Sequence, residues 1–260
     1  MLNIIYPYYT NKSLLLDQLE RWNEYSDYVK SNINIIIVDD GSPHSEAKEI
    51  IQSSKHKLGI AIHLLKIHED ILWNTAGSRN LGVQYVLENF GEHAMTFLSL
   101  MDAILPEETI TYILENKNNL DFKNNIYKFP RKDIHTQKQY ALHGSLLLLT
   151  PFTFFSVGGL DEDFSGGYGY DDTLFNEAIR HLTPIKFQQL NHFVYQYSQD
   201  SKSKFNYEYD FIEGNDWRIN VSRNFQIFEN KKSYINNYDL KQLLSSNNLR
   251  FNWSVHLLEK

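Results

Sequence analysis

The chain has 260 residues, with 25 basic and 32 acidic side chains, and so a formal net charge of −7. This length is enough for one large domain, and 42% hydrophobic with 14% aromatic residues is typical of a globular protein. The acidic balance favours neither a nucleic acid nor an anionic membrane as a partner. Because the chain has no cysteine, disulfides, cysteine-ligated zinc and thiol nucleophiles are excluded.

Residues 2–6 form an apolar run with no basic segment before it, so we expect no signal peptide. The most apolar longer stretch, residues 141–159, contains His143, Ser145 and Pro151 and is a poor candidate for a membrane span. We therefore expect a cytoplasmic protein without a transmembrane segment.

Strand and helix patterns alternate four times over the first 120 residues. Apolar runs predict buried strands at residues 2–6, 33–38, 60–67 and 95–101. Helical spacing predicts helices at residues 13–30, 44–54 and 76–89, and one more that begins near Pro106. Strands this apolar are covered on both faces, which predicts an α/β fold with a mostly parallel central sheet and helices on both sides.

Polar residues follow the predicted strands at the points where they end. Tyr8 and Thr10 come after the first strand, Asp39 and Asp40 after the second, and Asp102 after the fourth. In open parallel sheets, ligands bind outside the carboxyl ends of the strands. The sequence therefore predicts a binding site at this edge of the sheet.

Beyond residue 120 the alternation is lost, and further strands are predicted at residues 126–129, 141–149 and 187–197. Past residue 200 the helical periodicity is weak and centres on residues 217–228. We predict one domain over residues 1–200, with a C-terminal helical extension over residues 201–260 packed against it.

A glycine-rich stretch, residues 158–172, ends in Asp171 and Asp172 immediately before a predicted helix. Its glycines allow sharp turns and a close approach to a ligand, so the two carboxylates are candidates for a reaction site. Two other interpretations stay open. The aspartates could merely cap the helix, or the stretch could be a calcium loop, with ligand and turn positions at Asp161, Asp163, Ser165, Gly166 and Asp172.

Three segments carry a family resemblance. Residues 35–42 resemble the nucleotide-binding strand end of family 2 glycosyltransferases, which have the GT-A fold, and residues 73–82 are similar to a helix start in that family. Residues 158–172 resemble the acceptor and catalytic segment of β-1,4-galactosyltransferases and polypeptide N-acetylgalactosaminyltransferases. The resemblance implies a GT-A enzyme that transfers a sugar from a nucleoside-diphosphate donor, a UDP-sugar in our interpretation, to a glycan or other hydroxyl acceptor with inversion.

The resemblance also implies roles for single residues on the donor side. Asp39 and Asp40 would hold the base and ribose with help from Tyr8 and Thr10. We also place Arg79 and Asp102 on the donor side, although the planar donor fork of Arg79 suits a phosphate or a carboxylate equally. For the two aspartates the alternative is an Asp-Gly turn after a strand, and for Arg79 it is an ion pair at a helix end.

On the acceptor side, Asp172 would be the general base and Asp171 would bind an acceptor hydroxyl. Tyr168, Gly169 and Tyr170 would line the acceptor site. For each tyrosine, core packing is the alternative.

The metal motif of the resembled family is incomplete in this sequence. Asp102 falls at the second aspartate of its Asp-x-Asp pattern, and Leu100 stands at the first. The resemblance still implies Mn²⁺ or Mg²⁺, held by Asp102 with His192 as a second ligand. The departure at Leu100 leaves open a second function: a sugar-nucleotide or glycan binding protein of the same fold that has lost catalysis.

Overall fold

The computed structural model describes residues 1–44, 46–54, 58–197, 217–239 and 249–258. Its helices are α1 Lys12–Glu24, α2 Asp27–Asn32, α3 Ala47–Ser53, α4 Thr75–Phe90, α5 Glu107–Glu115, α6 Pro151–Phe155, α7 Asp171–Leu182 and α8 Trp217–Asn236. Its strands are β1 Leu2–Tyr8, β2 Ile33–Asp40, β3 Ala61–Ile67, β4 Met95–Leu98, β5 Ala103–Ile104, β6 Asn125–Lys128, β7 Arg131–Asp133, β8 Gln139–Tyr140, β9 Leu147–Leu149, β10 Lys186–Gln189, β11 Val194–Gln196 and β12 Trp253–Leu258.

The described strands form a large sheet of eight in the order β10-β6-β9-β4-β1-β2-β3-β12. Strand β1 lies at its centre and runs parallel to β2 and β4, and the pairs β2–β3 and β6–β10 are also parallel. The other three pairs, β3–β12, β4–β9 and β6–β9, are antiparallel. A second sheet has the order β5-β11-β7-β8.

The large sheet is buried on both faces. Along β1 and β2 the side chains alternate, so Ile4 and Ile35 join one apolar layer and Ile5 and Ile36 join the other. Helices α1, α2, α3 and α5 contribute to the first layer, and α4, α6, α7 and α8 contribute to the second. This arrangement confirms an α/β fold with a large central sheet between two layers of helices.

The single helix predicted over residues 13–30 is wrong, because the structure has two helices there. Helix α1 is capped by Asn11, whose side chain accepts a hydrogen bond from the Leu14 N–H, and it ends at Glu24. Ser26 then adopts an extended conformation and caps α2 by accepting from the Val29 N–H. A second capping residue inside an apolar periodicity therefore divides the helix.

The fourth strand is shorter than predicted. Strand β4 ends at Leu98, and residues 101–102 form a turn in which the Ala103 N–H donates to the Leu100 carbonyl. Asp102 therefore lies in a turn beyond the strand, close to the edge where β1 and β2 also end. The predicted strand at residues 187–197 is likewise two strands, β10 and β11, which belong to different sheets.

The boundary predicted at residue 200 lies outside the described residues. Within the predicted extension the structure describes α8, as well as the strand β12, for which we predicted no strand. Strand β12 runs antiparallel to β3 from the Trp253–Ile67 pair to the Leu258–Ile62 pair, and so extends the large sheet.

Candidate active site

The polar ends of β1 and β2 are brought together as predicted. Asp39 is buried, and its two carboxylate oxygens accept hydrogen bonds from the Ser42 and Ala47 N–H groups at 3.1 and 2.8 Å. Burial raises the pKa of Asp39, and these hydrogen bonds oppose the rise. Asp39 thus fixes the conformation of the loop after β2, as expected from the Asp-Gly turn interpretation.

Tyr8 and Thr10 lie against the loop that Asp39 shapes. The Thr10 N–H donates to Ser42 Oγ at 3.0 Å, and Thr10 has a left-handed backbone with φ of 45°. Tyr8 is buried, and burial together with the negative charge of Asp39 raises the pKa of its hydroxyl above the ordinary range.

Asp40 joins β2 to the start of α4. Its carboxylate accepts from the Asn74 N–H at 3.1 Å and from Asn74 Nδ2 at 3.0 Å. Asn74 in turn caps α4 by accepting from the Gly77 N–H, and it accepts a hydrogen bond from Ser165 Oγ at 2.6 Å. Burial raises the pKa of Asp40 to about 7. One hydrogen-bond chain therefore fixes the second strand, the fourth helix and the glycine-rich stretch to one another.

The paired aspartates occupy the first turn of α7. The N-cap is Tyr170, with a left-handed φ of 72° and no capping side chain, so neither aspartate occupies the N-cap position. Asp172 Oδ2 accepts from Ser145 Oγ at 3.0 Å. The pKa of Asp171 is raised to about 6: burial and then the charge of Asp172 raise it, and the charge of Arg79 opposes the rise.

Arg79 lies at the centre of the carboxylates. It projects from α4 and is only 2% exposed. Burial lowers the pKa of its guanidinium, and the negative charges of Asp171, Asp172 and Asp102 oppose that change. Among the residues that the structure describes, Nε and Nη2 of Arg79 have no hydrogen-bond partner. Helix α4, the first turn of α7 and the turn after β4 thus meet around one buried cation with unused donors.

Three further residues that we did not predict as site residues, Gln196, Arg131 and His143, lie beside the predicted Asp102. Asp102 Oδ2 accepts from Gln196 Nε2 at 3.2 Å, and Gln196 Oε1 accepts from Arg131 Nη1 at 2.5 Å. His143 lies nearby, and its pKa is lowered to about 4: burial and then the charges of Arg131 and Arg79 lower it, and the charges of Asp172 and Asp102 oppose the change.

The loop that carries His143 is fastened to α7. Ser145 donates its N–H to His143 Nδ1 at 3.0 Å and its hydroxyl to Asp172, so one residue bridges the imidazole and the carboxylate. Asn176 Nδ2 also donates to the Gly144 carbonyl at 3.1 Å. A Cβ atom at Gly144 would lie 2.4 Å from Asp172 Oδ2, so the close approach requires glycine at this position.

The structure places the predicted acceptor residues in different environments. Tyr168 is 52% exposed and packs edge-on against Trp73, with ring centroids 4.9 Å apart. Tyr170 instead packs against Phe225 and Phe228 of α8, which is the core-packing alternative. The backbone of Gly169 has a φ of 88°, and its carbonyl accepts from Asn224 Nδ2 at 3.1 Å.

The structure does not bring His192 to Asp102. His192 stacks on Tyr112 of α5 at a centroid distance of 3.8 Å, whereas Gln196, at the far end of β11, contacts Asp102. In the described ranges no three histidine, aspartate or glutamate side chains gather in a way that could hold a metal. The pairing of His192 with Asp102 as metal ligands therefore lacks the geometry it needs.

The calcium-loop interpretation also fails on geometry. Asp161 and Asp163 both pair with Lys231 of α8, and Asp163 pairs with Arg250 as well. Asp172, the last position of that pattern, bonds to Ser145 instead. Two of the three carboxylates that would surround calcium are therefore paired with lysine or arginine, and the third is bonded to a serine.

A cavity of about 520 Å³, bounded by described residues, lies beside the Arg79 cluster rather than at it. It is lined by residues of α8 and the turn at residues 162–165, and Asn74 reaches it from the start of α4.

Among the helices that the structure describes, none has the length and apolar character needed to cross a membrane.

Comparison with known proteins shows what the architecture is similar to. No protein-family model matches the sequence, and a search of curated proteins finds no similar sequence. The structure is similar to residues 1–349 of TarS from S. aureus, with a TM-score of 0.56 and 11% sequence identity over 78% of this chain. It is also similar to the mannosyltransferase PcManGT from Pyrobaculum calidifontis, with a TM-score of 0.56 and 14% identity over 95% of this chain and 72% of that one.

The chain shares their fold. TarS has been solved in complex with UDP and with UDP-GlcNAc, and PcManGT with GDP-Man and Mn²⁺. This chain covers 62% of TarS 1–349 and 43% of the longer TarS structure. The predicted glycosyltransferase-like α/β fold is therefore confirmed at the level of architecture.

Proposed function

We propose that this chain is a glycosyltransferase that moves a sugar from a nucleoside-diphosphate donor, a UDP-sugar, to a hydroxyl of a glycan or similar acceptor. The observation that carries the proposal is the meeting of Arg79 with Asp102, Asp171 and Asp172 outside the carboxyl ends of the central strands. A buried cation beside a pair of carboxylates offers anion binding and a base within one site.

The donor's base and ribose would lie over the ends of β1 and β2. The carboxylates of Asp39 and Asp40 already accept hydrogen bonds from neighbouring segments of the chain. Each oxygen has a second lone pair, which can accept a hydrogen bond from a base N–H or a ribose hydroxyl. Tyr8, the last residue of β1, and Thr10, just after that strand, flank them. We assign these four residues to nucleotide binding, with Asp102 and Arg79 beside the diphosphate.

The transfer step uses Asp172 as the general base. Its carboxylate takes the proton of the acceptor hydroxyl while the acceptor oxygen bonds to the anomeric carbon of the donor sugar. The bond from that carbon to the diphosphate oxygen breaks, and the electron pair leaves with the nucleoside diphosphate. Attack opposite the leaving group inverts the anomeric centre. Ser145 holds one oxygen of Asp172, which orients the carboxylate.

Asp171 would accept a hydrogen bond from a second acceptor hydroxyl, and Tyr168 with Trp73 would offer aromatic faces at the exposed rim. Tyr170 packs against α8 at the start of α7, and the Gly169 carbonyl accepts a hydrogen bond from Asn224 of α8. We therefore propose that these two residues position the acceptor side of the site and do not contact the sugar.

A divalent metal does not fit the side chains around Asp102. In the described part of the chain, no three carboxylate or imidazole side chains gather here in a way that could hold a metal. No step above therefore passes through a metal.

The test is a panel of UDP- and GDP-sugars incubated with the purified protein and a set of saccharide acceptors, with products detected by mass spectrometry. We expect one donor to yield a glycosylated acceptor and free nucleoside diphosphate in equal amounts. Donor binding by calorimetry without product or hydrolysis from any donor would instead favour a sugar-nucleotide binding protein.

A further inference from the structure

The surroundings of Asp102 are those of an anion site rather than a cation site. Its carboxylate already accepts a hydrogen bond from Gln196, and the charges of both Arg79 and Arg131 act on it. Leu100 removes the other carboxylate expected near this position. A divalent cation placed at Asp102 would share that carboxylate with Gln196 and would be repelled by the two guanidinium groups, whose charges oppose the attraction of Asp171 and Asp172.

His143 is the imidazole of this cluster, and its hydrogen bonding prevents it from replacing the missing ligand. The Ser145 N–H donates to His143 Nδ1 at 3.0 Å, so the proton of the neutral ring is on Nε2. Metal binding through Nε2 would require that proton to move to Nδ1. Two N–H donors would then face each other, and the hydrogen bond from Ser145 would be lost. The ring therefore presents a hydrogen-bond donor to the site.

The same cluster has donors with no acceptor. Nε and Nη2 of Arg79 are buried, and in the described part of the chain they have no partner. Leaving a buried donor unsatisfied costs about 1–3 kcal/mol, so a ligand that supplies acceptor oxygens here gains that energy. Arg131 uses Nε on the Ala141 carbonyl and Nη1 on Gln196, which fixes its planar group beside Asp102 and leaves further N–H groups available.

These donors come from three separate segments: helix α4, strand β7 and the loop between β8 and β9. Two of them are guanidinium forks, whose geometry matches the paired oxygens of phosphate groups. A diphosphate carries several acceptor oxygens and negative charge on two linked phosphorus atoms, so it can meet all three donors at once.

We propose that Arg79, Arg131 and His143 bind the diphosphate of the donor directly, without a divalent metal ion. The inference rests on the proposed function for the identity of the donor, but the binding of diphosphate can be measured without it. In transfer, the two guanidinium groups neutralise the charge that develops on the leaving diphosphate, the task that a metal performs in other enzymes.

Calorimetry with inorganic diphosphate in EDTA tests the proposal. We expect binding in EDTA that Arg131→Gln and His143→Phe each weaken, the former about tenfold or more. The matched control is Lys132→Gln: Lys132 is the next residue of β7, its side chain lies on the other face of the strand, and its ammonium lies 3.6 Å from the centroid of the Phe193 ring. This control should bind as the wild type does, and melting curves verify that each variant is folded.

Three results would overturn the proposal: no binding in EDTA, binding that appears only when magnesium is added, or binding that neither Arg131→Gln nor His143→Phe weakens. Its failure is separable from that of the proposed function. If diphosphate does not bind in EDTA but the donor panel yields product, the metal-free site alone is wrong. If diphosphate binds as expected but no donor yields product, the proposed transfer alone is wrong.

Discussion

At the scale of single residues, the charge of Arg79 is the most costly feature of the site. A buried guanidinium with unused donors destabilises the folded protein, and the carboxylates around it recover part of that cost through their opposite charge. Folding alone does not require such a residue on a helix that already packs well. A ligand that supplies the missing acceptor atoms would offset this loss of folding free energy when it binds.

Asp171 leads to a prediction about pH. Its pKa lies at about 6, because burial and the charge of Asp172 disfavour ionisation. In its proposed role Asp171 accepts a hydrogen bond from an acceptor hydroxyl, and the ionised form, which exists above the pKa, is the stronger acceptor, so kcat/KM should rise with pH through about 6 and then level off. In Asp171→Asn this acidic limb should be lost and the plateau should fall about tenfold, in keeping with one lost hydrogen bond to a charged group. A pH profile of kcat/KM measures both, and an unchanged limb in the variant would assign it to another group.

The carboxylates were predictable from the sequence, whereas their cationic partners were predictable only in part. Asp171, Asp172 and Asp102 stand beside strand or helix boundaries that the pattern indicates, and Arg79 lies in a recognisable helix. Arg131 is the first residue of β7 and His143 follows β8, and these strands, of three and two residues, are too short to show a periodicity. Only the pairing of β7 with β11, far away in the sequence, brings Arg131 to Asp102.

At the scale of elements, the start of α4 connects the site to the sheet. Asn74 caps the helix and also donates two hydrogen bonds to Asp40, which is buried. Loss of a helix cap alone lowers the free energy of unfolding by about 1 kcal/mol. Loss of the hydrogen bond from Asn74 Nδ2 to the buried carboxylate of Asp40 costs a further 1–3 kcal/mol or so.

We therefore predict that Asn74→Ala lowers the free energy of unfolding by about 2–4 kcal/mol. The matched control is Asn11→Ala, which removes the cap of α1 without touching a buried carboxylate and should cost about 1 kcal/mol. Denaturant unfolding measures both variants. Equal losses in the two would mean that Asp40 does not depend on Asn74.

Two element boundaries show where sequence patterns fail. The apolar periodicity continues through residues 13–30, so it conceals the break that Ser26 introduces by capping a second helix. Strand β12 was missed because its partner β3 lies about 190 residues earlier, and a short strand at a sheet edge is specified by that pairing more than by its own pattern.

At the scale of the whole molecule, ion pairs attach the C-terminal helix to the site. Lys231 of α8 pairs with Asp161 and Asp163, and Asp161 is almost fully buried. Both aspartates belong to the glycine-rich stretch that leads to Asp171 and Asp172. Helix α8 also packs against Tyr170, so it supports the first turn of α7 from two directions.

We predict that Lys231→Met destabilises the protein by about 3 kcal/mol, because it removes the ammonium that pairs with the buried carboxylate of Asp161. Lys232→Met is the control, since the neighbouring Lys232 has its ammonium 5.5 Å from the Phe228 ring centroid; this change should cost less than about 1 kcal/mol. Chemical denaturation at neutral pH compares them. Similar stability of the two variants would show that α8 is held by its apolar contacts.

The central claim is that Asp172, held by Ser145 beside Arg79, removes the proton from the acceptor hydroxyl. The most direct measurement is turnover of Asp172→Asn with the donor and acceptor that the panel identifies, together with donor affinity by calorimetry. Asp121→Asn serves as the control, because that carboxylate bonds only locally to Asn124. We predict a loss in turnover of roughly 10²–10⁴-fold for Asp172→Asn, with donor affinity almost unchanged and the control fully active. Turnover of Asp172→Asn at the wild-type rate would contradict the account.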